Sequence, residues 1–152
     1  MTEKLMGHLS DRPWTERWLT RLLGAALSAA AYLLCLPWDL RNRAESPGST
    51  SETTPVTGLG VALLAVTLLL LAAYFGRRDA LAWPLLLVAV PPATLMYVSF
   101  RTHPEADASP WSLTWAFCTL LIAAGVMIAT SVARRFRQDT GDSMDGLIYA
   151  HH

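Results

Sequence analysis

Residues 56–100 read VTGLGVALLAVTLLLLAAYF, then GRRD, then ALAWPLLLVAVPPATLMYVSF. Two apolar segments, 56–75 and 80–100, are therefore joined by four residues of which three are charged. A helix needs about 20 apolar residues to cross a hydrocarbon core of roughly 30 Å, and backbone in lipid must satisfy its own hydrogen bonds. Each segment is predicted to be a transmembrane helix, and the short turn at 76–79 predicts that the two form an antiparallel hairpin.

Two further segments, 19–38 and 111–133, have the same character, with 20 and 23 residues. No Asp, Glu, Lys, Arg or His lies in the second, third or fourth segment, or between Leu22 and Leu36 of the first. The predicted fold class is therefore all-α, a polytopic integral membrane protein with a bundle of four transmembrane helices.

The overall composition agrees with a membrane protein. The 152 residues are enough for one domain, and they are 53% hydrophobic and 16% charged, where soluble domains have roughly 25% charged residues. A net charge of zero with this hydrophobicity excludes a disordered chain and does not favour a nucleic-acid binder. Two cysteines are too few for a disulfide scaffold or a four-cysteine zinc site.

Basic residues are divided unevenly between the predicted loops, and this predicts the orientation. Nine lie before or at Arg21, in the turn 76–79 and in the tail 134–152, whereas three lie in the loops 39–55 and 101–110. The positive-inside rule therefore places both termini in the cytoplasm and counts against a dual-topology protein. The first loop is rich in Ser, Thr, Pro and Gly, so it is predicted to be mobile. The arginine-, alanine- and leucine-rich composition is typical of a GC-rich coding sequence, which favours a bacterial plasma (inner) membrane.

All six tryptophans and two arginines lie at or near span ends, where they are predicted to anchor the chain at the membrane interface. Residues 1–18 are predicted to be a cytoplasmic tail that ends in an interfacial helix. Specific binding of a lipid or partner is an alternative role, but simple anchoring is favoured. The predicted anchors are Trp14, Arg17, Trp18, Arg21, Trp38, Trp83, Trp111 and Trp115.

The third segment contains a pair of prolines at its middle, Pro91 and Pro92. Each removes a backbone donor and frees a carbonyl one turn earlier, near Leu87 and Val88, so a kink is predicted there. Broken helices at the bilayer midplane frame substrate sites in transporters, and Thr94 is a candidate member of such a polar site. Kinks also serve packing alone, and packing is the favoured interpretation.

Small residues recur four positions apart in the first and fourth spans. Such faces allow helix backbones to approach closely, within one bundle, between copies of the chain, or against a larger complex. The pairs are Gly24 with Ser28, Ala25 with Ala29, and Gly125 with Ala129.

The sequence carries little that indicates catalysis. Ion and proton carriers need ionisable residues inside the membrane, and the span interiors contain none. There is no phosphate-binding loop, nucleophile elbow or zinc-peptidase motif, so no catalytic residue and no cofactor are predicted. His103, Glu105 and Asp107 alternate in the 101–110 loop, but a solvated acidic loop is favoured over a metal site. Cys35 and Cys118 are expected to be free thiols.

These observations favour a non-enzymatic accessory subunit that packs against itself or against a larger membrane complex. A small transporter or channel subunit with a site at the proline kink is the alternative. A membrane enzyme that uses the two cysteines is a third hypothesis. The expected partners are the lipid bilayer and either a second copy or another membrane protein, and no nucleic acid.

Overall fold

The computed structural model describes residues 9, 12–48, 50–103 and 110–149, without the side chains of residues 44, 52 and 137–149. The elements in chain order are α1 Trp14–Cys35, β1 Arg43–Ala44, β2 Glu52–Thr53, α2 Gly58–Arg78, α3 Ala82–Pro84, a π-helix Leu85–Ala89, α4 Val90–Thr102 and α5 Trp111–Tyr149. α3, the π-helix and α4 follow one another without a gap. Together they form one helical stretch, Ala82–Thr102, which corresponds to the third predicted segment and is here called the third span.

Four helical stretches are long and apolar enough to cross a membrane: Trp14–Cys35, Gly58–Arg78, Ala82–Thr102 and Trp111–Phe136. They confirm the prediction of an all-α chain with four candidate spans, and they indicate a multi-pass membrane protein. The predicted first segment, 19–38, extends three residues past the end of α1 at Cys35. The helix ends there because Pro37 disfavours helical backbone in the preceding residue, and Leu36 is extended with φ −120° and ψ 142°.

The first link contains regular structure that the composition did not predict. β1 and β2 pair antiparallel, with Arg43 opposite Thr53 and Ala44 opposite Glu52. Gly48 lies in the turn between them with φ +86°, a backbone conformation that favours glycine. α2 then begins at a Thr57 cap, whose side chain accepts a hydrogen bond from the Gly60 amide at 3.1 Å.

The first two helices run antiparallel, because the start of α1 meets the end of α2 and the end of α1 meets its start. Gly24 lies against the ring of Phe75, and Gly60 lies against the backbone carbonyl of Cys35. We call the two ends of the bundle the Asp79 end, which holds the start of α1 and the end of α2, and the Trp38 end, which holds the end of α1 and the start of α2.

α5 lies beside α2 and beside the third span, on the side of the bundle opposite to α1. It runs parallel to α2, where Thr130 contacts Gly76, and antiparallel to the third span, where Trp115 contacts Ala93. The buried core between these helices is formed mainly by Tyr32, Leu64, Leu68, Ala72, Phe75, Leu87, Val88, Met96 and Val126.

Candidate functional site

Charged residues meet inside the Asp79 end of the bundle. The Arg21 guanidinium donates from Nε to Asp79 Oδ2 at 2.7 Å and from Nη2 to Asp79 Oδ1 at 2.8 Å. The side chains are 10% and 6% exposed, respectively. Such a two-point pair is charge-assisted and fixes the orientation of both groups. It ties the first turns of α1 to the turn that joins α2 to the third span.

Two tryptophans enclose this ion pair. The Arg21 Cζ lies 3.6 Å from the ring centroid of Trp83 and 5.7 Å from that of Trp18. The two indoles meet edge to face, with centroids 5.7 Å apart and an interplanar angle of 88°. The guanidinium is therefore held by a carboxylate and by aromatic rings, which attract cations through their negative faces.

Arg134 of α5 adds a second cation to the same turn. It donates from Nε to the Gly76 carbonyl at 3.1 Å and from Nη2 to the Asp79 carbonyl at 2.7 Å. The last carbonyls of a helix have no hydrogen-bond partners within the helix, and the Arg134 guanidinium supplies donors to them at the end of α2. Its positive charge also interacts favourably with the negative end of the α2 helix dipole. We call Arg21, Asp79, Trp83 and Arg134 the Asp79 cluster. Its hydrogen bonds and ring contacts link all four spans.

The third span is irregular where the prolines predict it to be. The π-helix Leu85–Ala89 lies directly before Pro91 and Pro92, and Pro92 is buried. Ser28 of α1 donates its hydroxyl to the Val88 carbonyl at 2.7 Å. Because Val88 is four residues before Pro92, this is the carbonyl that the missing Pro92 amide would otherwise bond. The neighbouring helix thus satisfies the backbone group that the proline leaves free.

The structure does not bring Thr94 of the third span, or Thr67 of α2, which could also contribute to such a site, into a polar site at the kink. Thr94 is exposed and donates to the Val90 carbonyl at 2.9 Å in its own helix. Thr67 likewise donates to the Leu63 carbonyl at 2.8 Å. Both hydroxyls are therefore used within their own helices.

The small residues of α1 face the interior of the bundle. Gly24 and Ser28 are buried, against Phe75 and Val88 respectively, and Ala25 and Ala29 are half-buried. The small pair of α5, Gly125 and Ala129, is also half-buried. A Cβ atom added at Gly125 would meet only the Leu69 side chain within 4 Å, at 3.9 Å.

The predicted anchors divide into exposed and inward-facing groups. Trp14, Trp18 and Trp38 are exposed, whereas Arg17, Trp83, Trp111 and Trp115 are half-buried and Arg21 is buried. Trp115 faces inward, since it donates from Nε1 to the Ala93 carbonyl at 2.9 Å and packs against Tyr97. The Arg21 guanidinium is directed at Asp79 in the same chain, although the sequence predicted an anchor at the lipid interface.

An apolar groove of about 690 Å³ lies toward the Trp38 end. Its walls are α2 and α5, and the polypeptide after α1 and the end of the third span complete it. Along the groove, α2 and α5 are less closely packed than at the Asp79 end. At Gly76 an added Cβ would lie 2.9 Å from Thr130 Cγ2, whereas at Gly125 the nearest atom is 3.9 Å away. We call this cavity the outer groove.

A separate charged cluster lies in the link after α1. Asp39 accepts hydrogen bonds from Arg41 Nε at 2.9 Å, from Arg41 Nη2 at 2.9 Å and from the Arg41 amide at 3.1 Å. Arg43 Nη2 lies 3.4 Å from the same carboxylate. The hydrogen bonds from Arg41 hold the pKa of Asp39 well below its usual range.

The cysteines and the acidic loop 101–110 were the remaining candidates for reactive or metal-binding groups. Cys35 and Cys118 are free thiols, and both are half-buried. Of the three possible loop ligands, Glu105 and Asp107 lie outside the described residues. Within the described part of the chain, no three His, Cys, Asp or Glu side chains are grouped so that they could hold a metal ion.

Comparison with protein-family models, with curated proteins and with solved structures gives no match to this chain.

The Asp79 cluster is the feature that sequence reasoning missed. The charge distribution placed Arg21, Asp79 and Arg134 at the same face of the membrane, but it treated them as separate loop charges. The available indication was an arginine inside the first apolar turns and an acidic residue directly after a predicted span. Polar residues at such depth pair with one another in membrane proteins.

Proposed function

We propose that this chain is a non-enzymatic membrane subunit that acts by packing its last helix against a second copy or against a larger membrane complex. The observation that carries the proposal is the uncovered face of α5. In the apolar part of this helix 17% of the residues are buried, against 28% to 44% in the other three spans.

Five of the uncovered residues in the apolar part of α5 form one continuous stripe. Leu113, Phe117, Leu120, Ala124 and Ile128 are all exposed, and they follow one another at intervals of three or four residues. At about 100° per residue this spacing places them on a single side of the helix. The stripe combines bulky side chains with one small residue, as helix interfaces in membranes do. We call these five residues the α5 stripe.

The contacts at the proline kink support packing over transport. The Val88 carbonyl is occupied by Ser28, Pro92 is buried, and the Thr94 hydroxyl is used within its own helix. A solute at this point would have to displace the Ser28 hydrogen bond from the bundle core. The same contacts give the kink a structural role, which is to fit the third span against α1.

The orientation belongs to the same proposal. The sequence segments 1–21, 76–79 and 134–152 contain nine basic residues, and we propose that the Asp79 end faces the cytoplasm of a bacterial cell across the plasma membrane, with both chain termini on that side. In a Cys35→Ser, Cys118→Ser background, Ser46→Cys should react with a membrane-impermeant maleimide on intact cells. Thr15→Cys should react only after lysis, and the reverse pattern would refute the orientation.

Photo-cross-linking in membranes tests the packing proposal. A photoreactive phenylalanine analogue is placed at Leu120, on the α5 stripe, or at Leu70 of α2 as the matched control. The two positions are 69% and 67% exposed. We expect position 120 to give a discrete product, either of dimer mass or with one other membrane protein, while position 70 gives lipid adducts.

The two forms of the proposal are separated by the mass of that product. A dimer mass assigns the stripe to a second copy, and a discrete product of any other protein mass assigns it to a different protein. Lipid adducts alone at position 120, or the same products from both positions, would overturn the proposal.

A further inference from the structure

We propose that the outer groove is a phospholipid-binding site, which takes one acyl chain between α2 and α5 and holds an anionic headgroup at the arginines of the Trp38 end. This inference does not depend on the α5 stripe. Counted at about 100° per residue, the groove-lining residues of α5 lie on another side of that helix.

The chemistry of the groove fits a hydrocarbon chain. The walls are formed by aliphatic and aromatic side chains of helices long and apolar enough to cross a membrane. Its volume, about 690 Å³, lies within the roughly 300–1,000 Å³ of ordinary ligand pockets. The wall residues of the two helices include Leu64, Leu68, Leu69, Cys118, Ile122 and Val126.

Along α2, the length of the groove also fits one leaflet. On α2 it extends from Val61 to Leu69, which is about 12 Å at 1.5 Å per residue. On α5 it extends from Trp111 to Val126, which is about 22 Å by the same rise. Half of a hydrocarbon core is about 15 Å. The α2 wall is therefore shorter than one leaflet, although the α5 wall is longer, and an acyl chain that enters at the Trp38 end would lie along α2 within its own leaflet.

Charge at the mouth of the groove selects the headgroup. Asn42 and Phe100 both line the groove. Asn42 lies between Arg41 and Arg43 in the sequence, and Arg101 directly follows Phe100. Arg41 and Arg43 share the carboxylate of Asp39, and Glu45, another acidic residue of the same link, accepts a hydrogen bond from Ser51. The Arg43 side chain is 69% exposed, which leaves it accessible to a phosphate.

The test uses the full chain in nanodiscs of phosphatidylcholine that contain phosphatidylglycerol with a photoactivatable diazirine in its acyl chain. After illumination, the labelled residues are mapped by mass spectrometry. We expect the label to concentrate on Leu69 and Leu121, which are exposed residues of the groove walls. Labelling spread evenly over the exposed leucines of all four spans would overturn the proposal.

Two alanines of α2 provide a matched pair of variants. Ala65 lines the groove, whereas Ala62 does not, and both are exposed. Ala65→Leu should remove most of the label from the groove walls because it fills the space that the acyl chain would occupy. Ala62→Leu should leave the labelling pattern unchanged. Gly125→Leu is a second filling variant on the opposite wall and should act like Ala65→Leu. Equal labelling of Ala62→Leu and Ala65→Leu would overturn the proposal.

The headgroup contact is tested separately by charge. Arg43→Gln should lower the preference for phosphatidylglycerol over phosphatidylcholine by about fivefold, the effect of roughly one basic side chain at a membrane surface. Arg135→Gln, an exposed arginine at the opposite end, is the control. Loss of preference in both variants, or in neither, would contradict a headgroup site at the groove.

Discussion

Arg21 and Asp79, 58 positions apart in sequence, meet through two hydrogen bonds of 2.7 and 2.8 Å, and the arginine is covered by the ring of Trp83. Removing one partner of a buried pair leaves the other charge without compensation. We expect Asp79→Asn and Arg21→Met each to lower the free energy of unfolding by about 3–5 kcal/mol. The measurement is reversible unfolding in mixed micelles.

The double variant Arg21→Met, Asp79→Asn provides the control for that pair. Because no unpaired charge remains, it should cost less than the sum of the two single changes. Additive losses would show that the two residues stabilise the bundle independently.

Ser28 and Pro92 are expected to be coupled through the Val88 carbonyl. Ser28→Ala removes the hydroxyl that bonds this carbonyl and should cost about 1 kcal/mol, a typical value for side-chain hydrogen bonds between membrane helices. Pro92→Ala restores an amide that can reach the same carbonyl. Ser28→Ala should therefore cost less in a Pro92→Ala background. An undiminished cost, measured by the same unfolding assay, would rule out the coupling.

Gly76 is expected to tolerate no side chain. An added Cβ would lie 2.9 Å from Thr130 Cγ2 and 3.0 Å from Thr130 Cα. Gly76→Ala should therefore force α2 and α5 apart and lower the free energy of unfolding by about 1–3 kcal/mol. Gly58→Ala, where nothing lies within 4 Å, is the control and should have no such cost. Equal effects at both positions would argue against close contact between the two helices.

Tyr32 buries a hydroxyl that has no hydrogen-bond partner among the described residues. The side chain is fully buried, so the hydroxyl has lost its hydration without gaining a protein partner. Tyr32→Phe should leave the free energy of unfolding unchanged or raise it. A clear loss of stability would reveal a partner for this hydroxyl, such as a buried water molecule.

Asp39 should titrate below its ordinary pKa of 3.8, chiefly because of the hydrogen bonds from Arg41. A lowered pKa in the folded state means that the ion pair contributes stability above the unfolded value of the pKa. That contribution disappears as the pH falls through the lower folded value. Carboxyl carbon NMR should show the shift, and Arg41→Gln should return the pKa of Asp39 toward 3.8. An unchanged titration in that variant would assign the shift to another group.

The sequence predicted the parts of the fold that depend on local properties. The length of the apolar segments predicted four helices, and the prolines at 91 and 92 predicted both the irregular backbone and the freed carbonyl near Val88. The donor to that carbonyl could not be predicted, because Ser28 is 60 positions away and its direction depends on how α1 is rotated against the third span.

The same limitation applies to the site residues. The charge bias placed Arg21 and Asp79 at one face, but their pairing depends on the separation and rotation of two helices. The position of Trp115 near a span end predicted an interfacial anchor, yet its indole donates to a carbonyl inside the bundle. The β1–β2 hairpin was missed because its strands are two residues each and lie in a segment of turn-forming composition.

The Asp79 cluster also implies an order of assembly during synthesis. The Arg21–Asp79 pair needs only the first two spans and the turn after them, so it can close once residue 79 has left the ribosome, before the third span has emerged. Arg134 arrives last and bonds the carbonyls of Gly76 and Asp79, which fixes α5 to a hairpin that is already formed. A chain that ends before α5 should therefore retain the pair of helices α1 and α2 as an insertion intermediate. The later binding of α5 would then stabilise this pair.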